Sequence, residues 1–142
     1  MLLALILGMK NLVQGSVKPN ERRYFGKLKE GEARTYLCAQ GLEFFRANVF
    51  YPCGEIDLVM GDPQSGALVF VEVRYRSSLL GGELSALYSL SPGKKRRLRN
   101  AISVFLSRHR GWVLERGFRE IRVDGFFLGT GISPTWVRAI EI

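Results

Sequence analysis

Gly54-Glu-Ile-Asp-Leu-Val59 and, across a turn, Leu68-Val-Phe-Val-Glu-Val-Arg-Tyr-Arg76 are the stretch that decides the fold. Glu55 to Met60 alternates as a strand, with Glu55 and Asp57 on one face and Ile56, Leu58 and Met60 on the other. Ala67 to Arg76 is a second strand, and its continuous apolar start predicts a central place in a sheet. Its faces divide Phe70, Glu72, Arg74 and Arg76 from Val71, Val73 and Tyr75. Gly61 to Gly66 connects the two as a hairpin longer than the two-residue type.

A connection centred near Pro63-Gln64 sets Glu55 opposite Glu72 and Asp57 opposite Phe70. Glu55, Asp57 and Glu72 then converge on one face, whereas a slip of one residue would separate them. Like charges across a strand pair repel. Such a cluster calls for a divalent cation, and oxygen-only ligands suit magnesium or manganese better than zinc. The alternative is a solvated hairpin face with Glu72 paired to arginine.

Outward from the hairpin, Asn20 to Gln40 reads as a helix stopped by Gly41, and Leu42 to Phe50 as an aromatic-rich strand. At 100° per residue, Phe25, Leu28, Tyr36 and Ala39 share a face with Glu32 in its middle, while Lys27, Glu30 and Arg34 lie opposite. A carboxylate inside an apolar stripe needs a cation or a salt bridge. Beyond a Gly- and Ser-containing loop that runs to Leu90, Ser91 caps a helix with Pro92 in its first turn. Leu98, Ala101, Ile102, Phe105 and Leu106 form its stripe, and Gly111 is the expected stop. Phe118 to Leu128 and Thr135 to Ile142 read as closing strands. The expected class is therefore α/β, a mixed central sheet of about five strands flanked by helices.

That second helix opens on Lys94, Lys95, Arg96, Arg97 and Arg99. Cations are misplaced at the positive end of a helix, and phosphate groups would correct the imbalance. Together with Arg76 they are the candidate nucleic-acid-binding residues; a solvated charge run is the plainer reading. Arg108, His109 and Arg110 suit the end of the same helix, and His109 is the only histidine, which restricts histidine chemistry.

The chain has 142 residues, 46% of them hydrophobic, with a net charge of +8. That is one domain of globular composition with a surplus that suits a polyanion, nucleic acid before anionic membrane. Cys38 and Cys53 make neither a disulfide framework nor a zinc site, and reduced thiols in a cytoplasm are expected. Met1 to Met9 is apolar but far short of the about 20 residues that span a bilayer. It reads as a frayed end or an upstream start, with a weak export signal as the alternative. Residues 1–20 are assigned to a flexible segment and 21–142 to the domain.

The quoted strands resemble the YraN family, an uncharacterised bacterial family with a restriction-endonuclease-like fold. Gly31-Glu-Ala33 with Tyr36-Leu37, Gly81-Gly82, the basic segment before Leu98 and Arg122-Val-Asp124 extend the likeness over about Gly26 to Ile142. The resemblance implies Asp57 and Glu72 as metal ligands for Mg²⁺ or Mn²⁺, Glu32 as an outer acid, and Arg74 in the place of the fold's usual lysine. Arginine supplies fixed charge and hydrogen bonds but no base. Lys95 stands where the family often has glutamine, and the stretch between Gly82 and Lys94 is longer than usual. The expected activity is metal-dependent endonucleolytic cleavage, DNA favoured, of branched or damaged structures. The rivals are a non-catalytic nucleic-acid-binding module and a partner-binding protein; a homodimer is left open.

Overall fold

The computed structural model describes residues 19–76 and 90–142, the side chains of Pro19, Glu21 and Arg22 excepted. In chain order they form α1 (Pro19–Ala39), β1 (Glu43–Tyr51), β2 (Gly54–Asp62), β3 (Ala67–Arg76), α2 (Pro92–Arg108), α3 (Arg110–Arg116), β4 (Glu120–Gly129) and β5 (Ile132–Val137). The sheet follows sequence order, β1 to β5, and β3 is its central strand as its unbroken apolar run requires. All neighbours pair antiparallel except β3 and β4, which are parallel. That mixed sheet with helices on both faces is consistent with a nuclease-like fold.

Each face buries its own core. Ala33 and Leu37 of α1 pack on Leu58, Met60, Val69, Val71, Phe126 and Leu128. Leu98, Ala101, Ile102 and Phe105 of α2 pack on Ile56, Val59, Leu68 and Phe70. Ser91 caps α2 as its sequence predicts, its Oγ accepting the Lys94 backbone N–H at 3.2 Å. Among the described residues no helix is long and apolar enough to cross a membrane. Cys38 and Cys53 are both free.

Several expected boundaries move. Helix α1 starts at Pro19, so Asn20 lies inside it, and its buried stripe is rotated from the expected one. Phe25 and Leu28 are about half exposed, while Ala33 and Leu37 are fully buried. Gly111 does not stop a helix: α2 breaks at His109, and α3 continues past Gly111 to Gly117, whose φ of 66° ends it. Strand β5 lies at Ile132–Val137 rather than reaching Ile142. Residues 1–18 and 77–89, with Gly81-Gly82 and most of the expected loop to Leu90, lie outside the described residues.

Candidate functional site

The hairpin register is offset by two residues from the expected one. Leu58 pairs with Val71 and Val59 with Phe70, and the β2–β3 ladder ends there. An offset of two preserves which side chains share a face. The alternation of β2 nonetheless breaks at Asp57, because Ile56 joins the core under α2 whereas Leu58 joins the core under α1. On the neighbouring strand Ala47 pairs with Leu58 and Val49 with Ile56, which leaves Asn48 beside Asp57. Asn48 has a φ of +54°, a conformation that asparagine tolerates better than most residues. This kink turns Asp57 into the seam where β2 and β3 part.

There the Asp57 Oδ2 accepts the Val73 backbone N–H at 2.8 Å. The side chain thus takes over a donor that a continued ladder would have used. The Asp57 and Glu72 carboxyl groups lie close enough for the charge of Asp57 to act on Glu72. Glu72, on the α2 face with Phe70, is 3% exposed. Burial and the Asp57 charge push its carboxyl up to about 8. Burial likewise raises Asp57, against the pull of the Val73 N–H and the Lys94 ammonium.

Lys94 completes the cluster. Its Nζ lies 3.1 Å from Glu72 Oε1 and 3.4 Å from Glu55 Oε1. Burial acts to lower this ammonium, and Glu72, Asp57 and Glu55 outweigh it, holding it above the usual lysine range. The expected phosphate-facing lysine is therefore turned inward onto carboxylates. Lys95, Arg96, Arg97 and Arg99 remain on α2, with Arg96, Arg97 and Arg99 exposed. Glu72, Arg74, Tyr75 and Arg76 of β3 face Ser91, Pro92 and Lys94 across an open cleft of about 700 Å³.

Glu32 does not join this cluster. Its side chain is about half exposed and pairs with Lys29 at 3.1 Å. The acid that α1 sends inward is Glu30, which lies on one stripe with the buried Ala33 and Leu37. Burial, with the nearby Asp57 charge, raises Glu30 to about 7, against the lowering pull of Asn48. The sequence signal for Glu30 was that i, i+3, i+7 spacing, masked by the aromatic residues on the opposite face. Among the described residues two buried oxygens, Glu30 Oε2 and Glu72 Oε2, have no hydrogen-bond partner. Such orphans are costly in a protein interior and suit a bound cation. Among the described residues, however, no group of three or more His, Cys, Asp or Glu side chains is arranged to hold a metal ion.

Residues 29–125 match the model of the family described as uncharacterised protein family UPF0102. The chain belongs to the UPF0102 (YraN) family. A UPF0102 protein of Halorhodospira halophila is 44% identical over 106 residues, 75% of this chain and 82% of that one. One from Alkalilimnicola ehrlichii is 39% identical over 113 residues, 80% of this chain and 82% of that one. One from Shewanella frigidimarina reaches 58% identity over 65 residues, covering 45% of this chain and 58% of the relative's length. The UPF0102 match takes in Glu30, Glu55, Asp57, Glu72 and Lys94 and stops before β5.

Proposed function

We propose that this chain is a metal-dependent phosphodiesterase acting on nucleic acid, DNA favoured, with branched or damaged structures as candidate substrates. The observation that carries the reading is the Asp57–Glu72 pair, two neighbouring acids set where β2 and β3 part, Asp57 held by the Val73 N–H and Glu72 buried. Their place beside a cleft lined by Arg74, Arg76 and Lys94 suits a polyanion. Asp57 and Glu72 would hold Mg²⁺ or Mn²⁺, with Glu30 rather than Glu32 as the outer acid. A bound ion of this kind supplies Lewis-acid polarisation of a phosphodiester and activation of water. Arg74 contributes fixed positive charge where negative charge develops on the phosphate. The exposed cations of α2 hold the backbone, which carries affinity without sequence preference.

Two observations favour the rival reading of a binding module that does not cleave. Arginine stands at position 74, and no three-carboxylate ligand set is assembled among the described residues. A cleavage screen with Mg²⁺ and Mn²⁺ on linear, flapped and four-way DNA decides between them. Cleavage by the wild type and none by Asp57→Asn supports the phosphodiesterase. Uncut substrates with salt-sensitive binding replace it by the module.

A further inference from the structure

Lys94 has a position that neither helix stability nor surface charge explains. It sits in the first turn of α2, where no acidic residue accompanies it. A cation there opposes the helix dipole. Its backbone N–H is tied to Ser91 Oγ, which fixes where the side chain starts. From that anchor the side chain reaches the buried Glu72 and the exposed Glu55 across the strand. Three carboxyl groups, Glu72, Asp57 and Glu55, act on this single ammonium. It is thus the cation that the acids of the seam already possess. Among the described residues the second oxygen of Glu72 has no partner, so one ammonium does not satisfy the cluster.

We propose that Lys94 is a resident counter-cation that competes with a divalent ion for Glu72, so that metal entry releases its ammonium into the neighbouring cleft. The proposal rests on the metal-binding part of the function proposed above. Two cations drawn to the same carboxylate oxygens repel each other, and the divalent one gains more from the same carboxylates. The released ammonium remains on a flexible four-carbon stem at the wall of the cleft, beside Arg74 and Ser91. Metal loading then adds a positive charge to the surface that faces a phosphate. Lys94 acts through the carboxylates in the metal-free protein and is there a positioning residue.

The test is Mn²⁺ titration of the full chain by calorimetry at about pH 8, for wild type, Lys94→Met and Lys94→Arg. Removing the competing charge should tighten Mn²⁺ binding at least about tenfold in Lys94→Met, while Lys94→Arg, which restores a cation, stays close to wild type. A folded Lys94→Met that binds Mn²⁺ no more tightly than wild type overturns the competition and leaves the metal site standing. No saturable binding in any of the three overturns the competition together with the metal reading. A second measurement needs no variant: acylation of Lys94 in the wild type, read by mass spectrometry with and without saturating Mg²⁺. Faster labelling with the ion supports release of the ammonium, and unchanged labelling overturns it.

Discussion

Gly54 lies directly against the backbone of Arg97: a Cβ on Gly54 would stand 2.8 Å from the Arg97 carbonyl carbon and closer still to its oxygen. The glycine that opens β2 is therefore what allows α2 to descend onto the β1–β2 turn. That contact in turn sets the height at which Lys94 meets Glu72.

Gly54→Ala should consequently lift α2 from the sheet. The expected loss is about 2 kcal/mol, the usual scale of overpacking, and chemical denaturation measures it. A variant as stable as wild type would show that α2 adjusts without cost.

Asp57→Asn separates chemistry from folding. The asparagine oxygen can still accept the Val73 N–H, while the charge that raises Glu72 and Glu30 is gone. Stability at neutral pH should be retained or increased, nucleic-acid affinity should stay within about threefold, and cleavage should vanish. Thermal melts, binding isotherms and a cleavage gel read the three outcomes.

Stability should fall as pH rises. Glu30 and Glu72 are raised in the folded state to about 7 and about 8, so the native state holds more protons than the unfolded one between the ordinary carboxyl range and those values. Their favourable contribution is complete below the unfolded pKa and is lost as pH climbs through the folded values. Melting between about pH 5 and pH 9 should show a decline of roughly 5 °C or more, and Mn²⁺ should reverse it at the alkaline end. A melting temperature that rises over this range would contradict the assignment.

Neutralising Lys95, Arg96 and Arg99 together should weaken DNA binding and flatten the slope of log affinity against log salt by about 2 to 3. Lys94 is left out because its charge is engaged with carboxylates. An unchanged slope would place the contact surface elsewhere.

Arg122 joins two buried acids. It donates to Asp124 through Nε and Nη2 and to Asp62 through Nη1, and Trp136 Nε1 and the Ala139 N–H also serve Asp124. Asp124 is wholly buried. Arg122→Ala leaves both carboxylates without their cation and should cost about 3–5 kcal/mol, measurable in urea.

How much of this was legible in the sequence follows from which signals act locally. Strand β3 was readable to the residue, because the unbroken apolar run Ala67 to Val71 passes into an alternation that ends on charge at Arg76. The Ser91–Pro92 start of α2 was equally plain, since capping is decided within one turn. Asp57 and Glu72 came together even though the register differed by two, because parity rather than exact pairing sets the face. The wrong acid on α1 has the opposite cause. Phe25, Leu28, Tyr36 and Ala39 gave the stronger apolar stripe, yet the sheet accepts the narrow one of Ala33 and Leu37. Small residues let a helix approach a sheet closely, and only the partner surface reveals that preference. The inward turn of Lys94 was illegible for the same reason: its unfavourable place on the helix was visible, but not which anion lay opposite.

The parallel pairing of β3 with β4 has a consequence for synthesis. A ribosome that has delivered the chain through Arg116 has released both carboxylates of the seam, Lys94 and the whole of α2, yet β3 still has one bare side. That side is an apolar strand edge, the kind that joins a neighbouring chain when nothing covers it. The interval before β4 emerges is therefore the molecule's most exposed moment. Arg122, which follows soon after, brings the ion pair with Asp62 that fastens the late strand to the β2–β3 turn.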